Sequence, residues 1–520
     1  MVAVSFVLVL ALVSSTVIAL PGTNGFTGLF SCFKRQPTPT PPKLFTISVH
    51  RWIPPSEETP TPTSDEDPAD IGLSYILQQL NIQPDEFMRR TNFTDRFGVT
   101  HLYGMPLHQG LLIENLHAAV HIKNGQVFFY SATTILDDHA LTKRSPTIPE
   151  STVEISSEDA VKAAVDCLGV PLYNGIAPVM ESYKTDNGKI LVWKFQLRDN
   201  PTTQWIEVKV DINTGVIVSK KDVKRKFTYT AIKLPTKPSR PLNLSGAVNA
   251  FYVTNMVHDV LYAYGFNEPA GNFQWDNFGR GGIAGDSITI NVQSSKKKNH
   301  ANFDTFPDGH PGVLNLHIFT TTKPNRDPAL DNTILIHELT HGVSSRLTGG
   351  AQTKMCMSKI ESHGLSEGYS DMMALIFMAK PEDTRNTKKV IAEYVEGDSQ
   401  GIRKYPYTTN MKVNPLKYQD AIGEKDPYHL GEIWATMLWE VYWNLVEKYG
   451  FSANLHDATQ EQGNIIFLQL FVGTLMIQPC NPTFESAYDA MLAADAVYYG
   501  GIHEDLITKG FAKRGLDPVS

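Results

Sequence analysis

The stretch from Thr333 to Gly342 constrains this chain more than any other, because its polar residues can act together only if it is a helix. His337, Glu338 and His341 stand in the spacing H-E-x-x-H. On a helix, residues four apart lie one above the other, so both imidazoles can reach a single tetrahedral metal ion with Glu338 beside it. Ile334, Leu335, Ile336 and Leu339 make the surroundings apolar. An unpaired carboxylate in such a place costs several kcal/mol, whereas a divalent cation satisfies all three groups together. A third ligand is at hand downstream, between Glu361 and Asp371. There Glu367 opens an amphipathic run through Met372, Met373, Leu375 and Ile376, so it projects from a second helix able to pack on the first. Asp371, one turn further, can accept the free N–H of a ligand imidazole and fix its tautomer.

The pairing of His337–Gly350 with Glu367–Asp371 resembles the fungalysin family, secreted zinc metalloendopeptidases of the Glu-zincin type related to thermolysin. Met256–Tyr262, Ala270–Gln274, Asn302–Gly309, Tyr405–Tyr407, His429–Ala435 and Lys509–Gly515 resemble it too. The resemblance implies one Zn2+ per chain on His337, His341 and Glu367, Asp371 behind them, Glu338 as general base and His429 as a donor to the oxyanion. It also implies substrate contacts at Asn302, Phe303, Arg403 and Tyr405, with 299–303 as an edge strand pairing with extended peptide, and a Cys356–Cys480 disulfide. The fold it implies is α+β: a two-lobed, thermolysin-like catalytic domain over 227–520, β-containing up to about 330 and mainly helical beyond, preceded by an α+β propeptide domain.

The remaining chain fits that plan. Val2–Leu20 is apolar and uncharged, with small residues near Ala19, and reads as a signal peptide over 1–19. Residues 20–70 are rich in Pro and Thr and read as a linker. From 71 to 226 a propeptide is expected. Strand-like runs at Thr100–Tyr103, Gly110–Ile113, His117–Ile122 and Val127–Tyr130 carry a hairpin turn at Asn124–Gly125. A helix from Ser157 to Val165 and strands at Ile190–Leu197 and Gln204–Ile212 follow. The basic run Lys221–Lys226 is a processing point or a solvated charge cluster. Asn92 and Asn243 head glycosylation sequons, which suit a secreted chain.

A net charge of −8 without a basic patch argues against nucleic acid, and no run beyond residue 20 is apolar enough for a membrane. The expected protein is therefore a secreted, monomeric zinc endopeptidase, made as a zymogen with its propeptide as folding aid and inhibitor, acting on extracellular proteins or peptides. The chain departs from the family in three respects. His363 and Ser366 stand where glycine is usual, Tyr369 where tryptophan is usual, and only about twenty residues separate Lys226 from Ala247, where the family carries many more. The short segment gives a competing reading, a secreted metal-binding or inhibitory protein without turnover. His363, four residues before the third ligand, reads as a stray surface residue in preference to one that alters the substrate side of the cleft.

Overall fold

A computed structural model describes residues 46–53, 66–108, 111–112, 116–135, 155–172, 178–185, 188–198, 205–222, 231–233, 244–294, 297–353 and 355–517. The signal run, Cys32, Asn243 and the basic stretch beyond Asp222 lie outside them. The chain divides into two compact units, one containing 147–224 and the other 42–146 together with 225–520.

The larger unit begins with β1 (Thr46–Trp52), α1 (Pro68–Leu80), β2 (Phe87–Thr94), β3 (Val99–His108), β4 (Leu111–Leu112), β5 (His117–Lys123) and β6 (Gln126–Ile135). The antiparallel sheet runs in the order β1-β6-β5-β3-β2, with β4 on β3. Asn124 and Gly125 turn β5 into β6 with φ of 51° and 74°, the left-handed conformation that an Asn-Gly pair favours. The linker expected over 20–70 is corrected at β1, whose β-branched Thr46, Ile47 and Val49 pair along β6. β5 is buried on both faces, which explains why it lacks polar alternation. One face packs Val120 and Ile122 under α1, with Leu102 and Ile76. The other joins Tyr103, Ala119 and Phe129 to the main core of the unit. There Tyr103 donates to the Met476 carbonyl at 2.7 Å and Arg96 to the Ala263 carbonyl at 2.7 Å.

The smaller unit has α2 (Ser157–Leu168) beside an antiparallel sheet of β7 (Val179–Thr185), β8 (Gly188–Arg198), β9 (Trp205–Asp211) and β10 (Ile217–Asp222). Ser156 caps α2 by accepting from the Asp159 N–H at 3.1 Å. Ala160, Ala164, Phe195, Val208 and Val210 form its core. Cys167 is disulfide-bonded.

The larger unit resumes with β11 (Ala231–Lys233), α3 (Leu244–Ala263), β12 (Thr289–Ser294), β13 (His300–Asp304) and β14 (Val313–His317). The order is β11-β12-β14-β13, so β13 is an edge, antiparallel to β14. Helices follow: α4 (Asn332–Leu347), α5 (Ile360–Phe377), the single turn α6 (Glu393–Glu396), α7 (Pro427–Tyr449), α8 (Gly463–Ile477), α9 (Phe484–Tyr499) and α10 (Glu504–Lys513). α8 is buried along its whole length, as its near-uniform apolarity requires. A Cys356–Cys480 disulfide ties the α4–α5 loop to the turn before α9. The fold is thus α+β, with sheets early in the chain and helices late. Among the described residues no helix is long and apolar enough to cross a membrane.

Candidate metal centre and cleft

Asp331 starts α4 by accepting from the Thr333 N–H at 3.1 Å, which sets the helical phase of the residues that follow. His337 and Glu338 are each only 7% exposed, although both carry polar side chains. α5 crosses α4 and α7, and its approach to α7 rests on glycine. A Cβ on Gly431 would meet the Glu367 Cβ at 2.5 Å, and one on Gly368 would meet the Gly431 carbonyl oxygen at 2.7 Å. These absent side chains let Glu367 lie between the helices and face α4.

His337 Nε2 and His341 Nε2 are 3.2 Å apart. Glu367 Oε2 is 3.2 Å from the first and Oε1 is 3.5 Å from the second. Ligands about 2.0–2.1 Å from a tetrahedral ion stand roughly 3.4 Å from one another, so these separations match one shared ion. The outer nitrogens are already engaged: His337 Nδ1 donates to Asp371 Oδ1 at 2.7 Å, and His341 Nδ1 lies 2.9 Å from Ser366 Oγ. With an ion bound, each ring would be neutral and offer its Nε2 lone pair inward. Glu367 is 4% exposed, yet its Oε2 has no hydrogen-bond partner. A buried orphan carboxylate oxygen beside two imidazole nitrogens is the vacancy in bonding that a cation fills, and two imidazoles with one carboxylate suit zinc.

Asp371 is fully buried, and Arg403 grips it through Nε and Nη2 at 2.7 and 2.9 Å. The Tyr407 hydroxyl donates to it as well. Burial opposes its charge, but Arg403 and His337 outweigh burial and hold its carboxyl well below the usual range. Burial likewise opposes charge on His337, and there the hydrogen bond to Asp371 and the adjacent Glu367 carboxylate win, raising its pKa while no cation is bound. For His341 burial prevails over the attraction of Glu367 and lowers it. Burial pushes Glu338 up to about 7, with His337 pulling down and Glu367 pushing further up.

The centre opens on a cleft of about 870 Å³ lined by Asn302, Phe303, Glu338, His363, Arg403 and Tyr428 among others. Asn302 and Phe303 come from the edge strand β13. His363 is corrected from a stray surface residue: it lies one turn before Glu367, with Nε2 3.6 Å from Oε1. Arg403, expected to contact substrate, lines the cleft and is also ion-paired with Asp371, with a second contact from Nη2 to Glu367 Oε2 at 3.6 Å. Tyr405 and His429 do not line the cleft. The Tyr405 N–H donates to Glu432 Oε1 at 2.9 Å, and His429 Nδ1 faces Glu432 Oε2 at 3.3 Å, while the neighbouring Tyr428 stands in the cleft wall. Asn92 is exposed on β2. Sequence reasoning gave no role to Tyr407, Ser366 or Tyr428. For Ser366 and His363 a signal existed in their helical spacing around Glu367, while Tyr407 reaches Asp371 only through the tertiary fold.

Residues 197–518 match the model of the fungalysin metallopeptidase family (M36). The chain is 42% identical over 283 residues to the extracellular metalloproteinase mep of Aspergillus niger, a match covering 54% of this chain and 45% of the relative. It is 41% identical over 295 residues to the extracellular metalloproteinase MEP of Neosartorya fischeri, covering 56% and 46%. With the extracellular metalloproteinase 4 of Arthroderma otae it shares 41% over 297 residues, covering 56% and 45%. The chain therefore spans about half the length of the curated relatives it matches. Among solved structures, the Bacillus megaterium YpeB C-terminal domain aligns with 14% identity and a TM-score of 0.19, over 32% of this chain and 70% of that one. That score is too low to bear on the fold.

Proposed function

The chain belongs to the fungalysin metallopeptidase family, and from that premise we propose that it is a secreted zinc endopeptidase, made as a zymogen, that hydrolyses peptide bonds of extracellular proteins. The observation that carries this reading is the convergence of His337, His341 and the orphan oxygen of Glu367 beside a buried Glu338. The catalytic part is proposed as a thermolysin-like, two-lobed domain over 227–520, with 71–226 as the propeptide that aids folding and inhibits.

His337, His341 and Glu367 would hold the ion. Zinc supplies a Lewis acid that acidifies water and polarises a peptide carbonyl. Glu338 takes the proton from the attacking water and passes it to the leaving amine. Asp371 keeps His337 in the tautomer that presents Nε2 inward, and Arg403 and Tyr407 keep Asp371 charged and in place. Extended substrate would pair with the free edge of β13, aligning its carbonyl over the centre.

The reading without turnover also has an observation in its favour. Val248, Tyr252 and Phe278 are 67%, 67% and 70% exposed on and near α3, an apolar face of the kind that a larger β region would cover. One experiment separates the two: casein hydrolysis by the purified full chain, before and after a zinc chelator. The hydrolase reading expects activity that the chelator abolishes and added zinc restores. Zinc binding without cleavage would leave the second reading standing.

A further inference from the structure

A neutral imidazole has two tautomers, and only the one with its proton on Nδ1 leaves Nε2 free to bind a metal ion. For His337 a carboxylate makes the choice, because the charged Asp371 can only accept from Nδ1–H. His341 meets a hydroxyl instead, with Nδ1 2.9 Å from Ser366 Oγ. A hydroxyl both donates and accepts, so this contact taken alone admits either tautomer. The wrong one would turn an N–H toward His337 Nε2 and Glu367, where the lone pair is needed.

The ambiguity is removed further along. Ser366 Oγ lies 3.3 Å from Ser344 Oγ, and Ser344 Oγ lies 3.3 Å from the backbone carbonyl oxygen of His341. A carbonyl oxygen has no proton to give, so Ser344 donates to it. With that proton spent, Ser344 can only accept from Ser366. Ser366, its own proton then spent, can only accept from His341 Nδ1–H. The three hydrogen bonds leave His341 at its ring and return to it at its backbone, and the carbonyl end fixes their direction. Both serines are buried, so bulk water does not compete for either hydroxyl. Ser344 stands three residues after His341 on α4, on the same face, and Ser366 comes from the turn of α5 that carries Glu367. Glycine is usual at position 366 in the family, so the second hydroxyl is a feature of this chain.

We propose that Ser366 and Ser344 are positioning residues whose directed hydroxyl relay holds His341 in the Nδ1–H tautomer, doing for the second imidazole what Asp371 does for the first. The relay sets how tightly the centre holds its ion, and it ties α4 to α5 at the point where the two helices share that ion. Ser344 touches no ring nitrogen and acts only through Ser366. This assignment rests on the metal-binding part of the hydrolase reading and deepens it.

The test is zinc affinity, by competition against a chelating dye, in the full-length wild type, Ser366→Ala, Ser344→Ala, the double variant and Ser366→Thr, with amide exchange in α4 and α5 as the check on folding. Loss of such an outer partner costs about 10–100-fold in metal affinity. The expected result is a loss of that size in Ser366→Ala and a smaller loss in Ser344→Ala. The double variant should bind no more weakly than Ser366→Ala, because removing Ser344 matters only while Ser366 is present. Ser366→Thr keeps the hydroxyl and should regain most of the affinity. Wild-type affinity in Ser366→Ala, or single losses that multiply in the double variant, would overturn the relay. A wild type that shows the expected zinc pattern but cleaves no casein would overturn the hydrolase reading and uphold the relay, and a wild type that takes up no zinc would overturn both.

Discussion

Each acid at the centre has a different environment, and those differences assign the roles. Glu338 is buried, and burial raises its pKa to about 7 while no ion is bound. Asp371 is buried against a guanidinium and stays charged. Glu367 divides its two oxygens: Oε2 lies 3.2 Å from His337 Nε2, and Oε1 lies 3.5 Å from His341 Nε2 and 3.6 Å from His363 Nε2. Such an outer contact orients a ligand, and losing one typically costs 10–100-fold in metal affinity, roughly as for other second-layer partners. His363→Ala should therefore weaken zinc about tenfold in a competition titration against a chelating dye, with His363→Gln weakening it less. Equal affinity in wild type and His363→Ala would show that Glu367 needs no such support. Of the neighbouring pair at the start of α7, Tyr428 lines the cleft and His429 Nδ1 faces Glu432 Oε2. Successive helical residues point about 100° apart, so a one-residue offset exchanges the cleft for the helix flank.

At the scale of elements, the contact of β3 and β5 with α8 and α9 contains an unusual polar pair. His101 Nδ1 and His121 Nδ1 are 2.9 Å apart, and both residues are fully buried. One proton between two facing nitrogens is a hydrogen bond, whereas a proton on each is a repulsion. Asp95 lies 3.4 Å from His101 Nε2 and accepts from the Tyr498 hydroxyl at 2.7 Å, and Tyr103 flanks both rings. Burial, then the charge of His101, lowers the His121 pKa well below 6.5, against a backbone hydrogen bond with Ile477. An opened chain takes up this proton near its ordinary value, while the closed contact resists it. The stability from this pair is full above about pH 6.5 and is lost as pH falls from there toward the depressed value, by about 1.4 kcal/mol per unit for one proton. Amide hydrogen exchange at pH 7.5 and 5, corrected for intrinsic rates, should show β3 and β5 losing protection at the lower pH. Undiminished protection in those strands at pH 5 would contradict this. None of this was legible in the sequence, because only the pairing of β3 with β5 brings His101 and His121 face to face.

For the molecule as a whole, the sequence carried what is local. The H-E-x-x-H helix, the Glu367 helix, the Asn124–Gly125 hairpin and the long apolar helix after Asp426 are each specified by a few adjacent residues. What escaped it depends on partners far along the chain: Tyr407 on Asp371, β1 pairing with β6, and the Gly368–Gly431 approach that sets Glu367 between helices. Sequence spacing placed two imidazoles on one face, but only the packing of α5 on α7 brings the Glu367 carboxylate to them. If these helices grip one zinc ion beside a proton-accepting glutamate, then zinc per chain and peptide hydrolysis, measured together in wild type and Glu338→Gln, should give one zinc ion in both proteins and a rate lower by about 10²–10⁴-fold in Glu338→Gln. Cleavage by Glu338→Gln at the wild-type rate, or a wild type that holds no zinc, would contradict it.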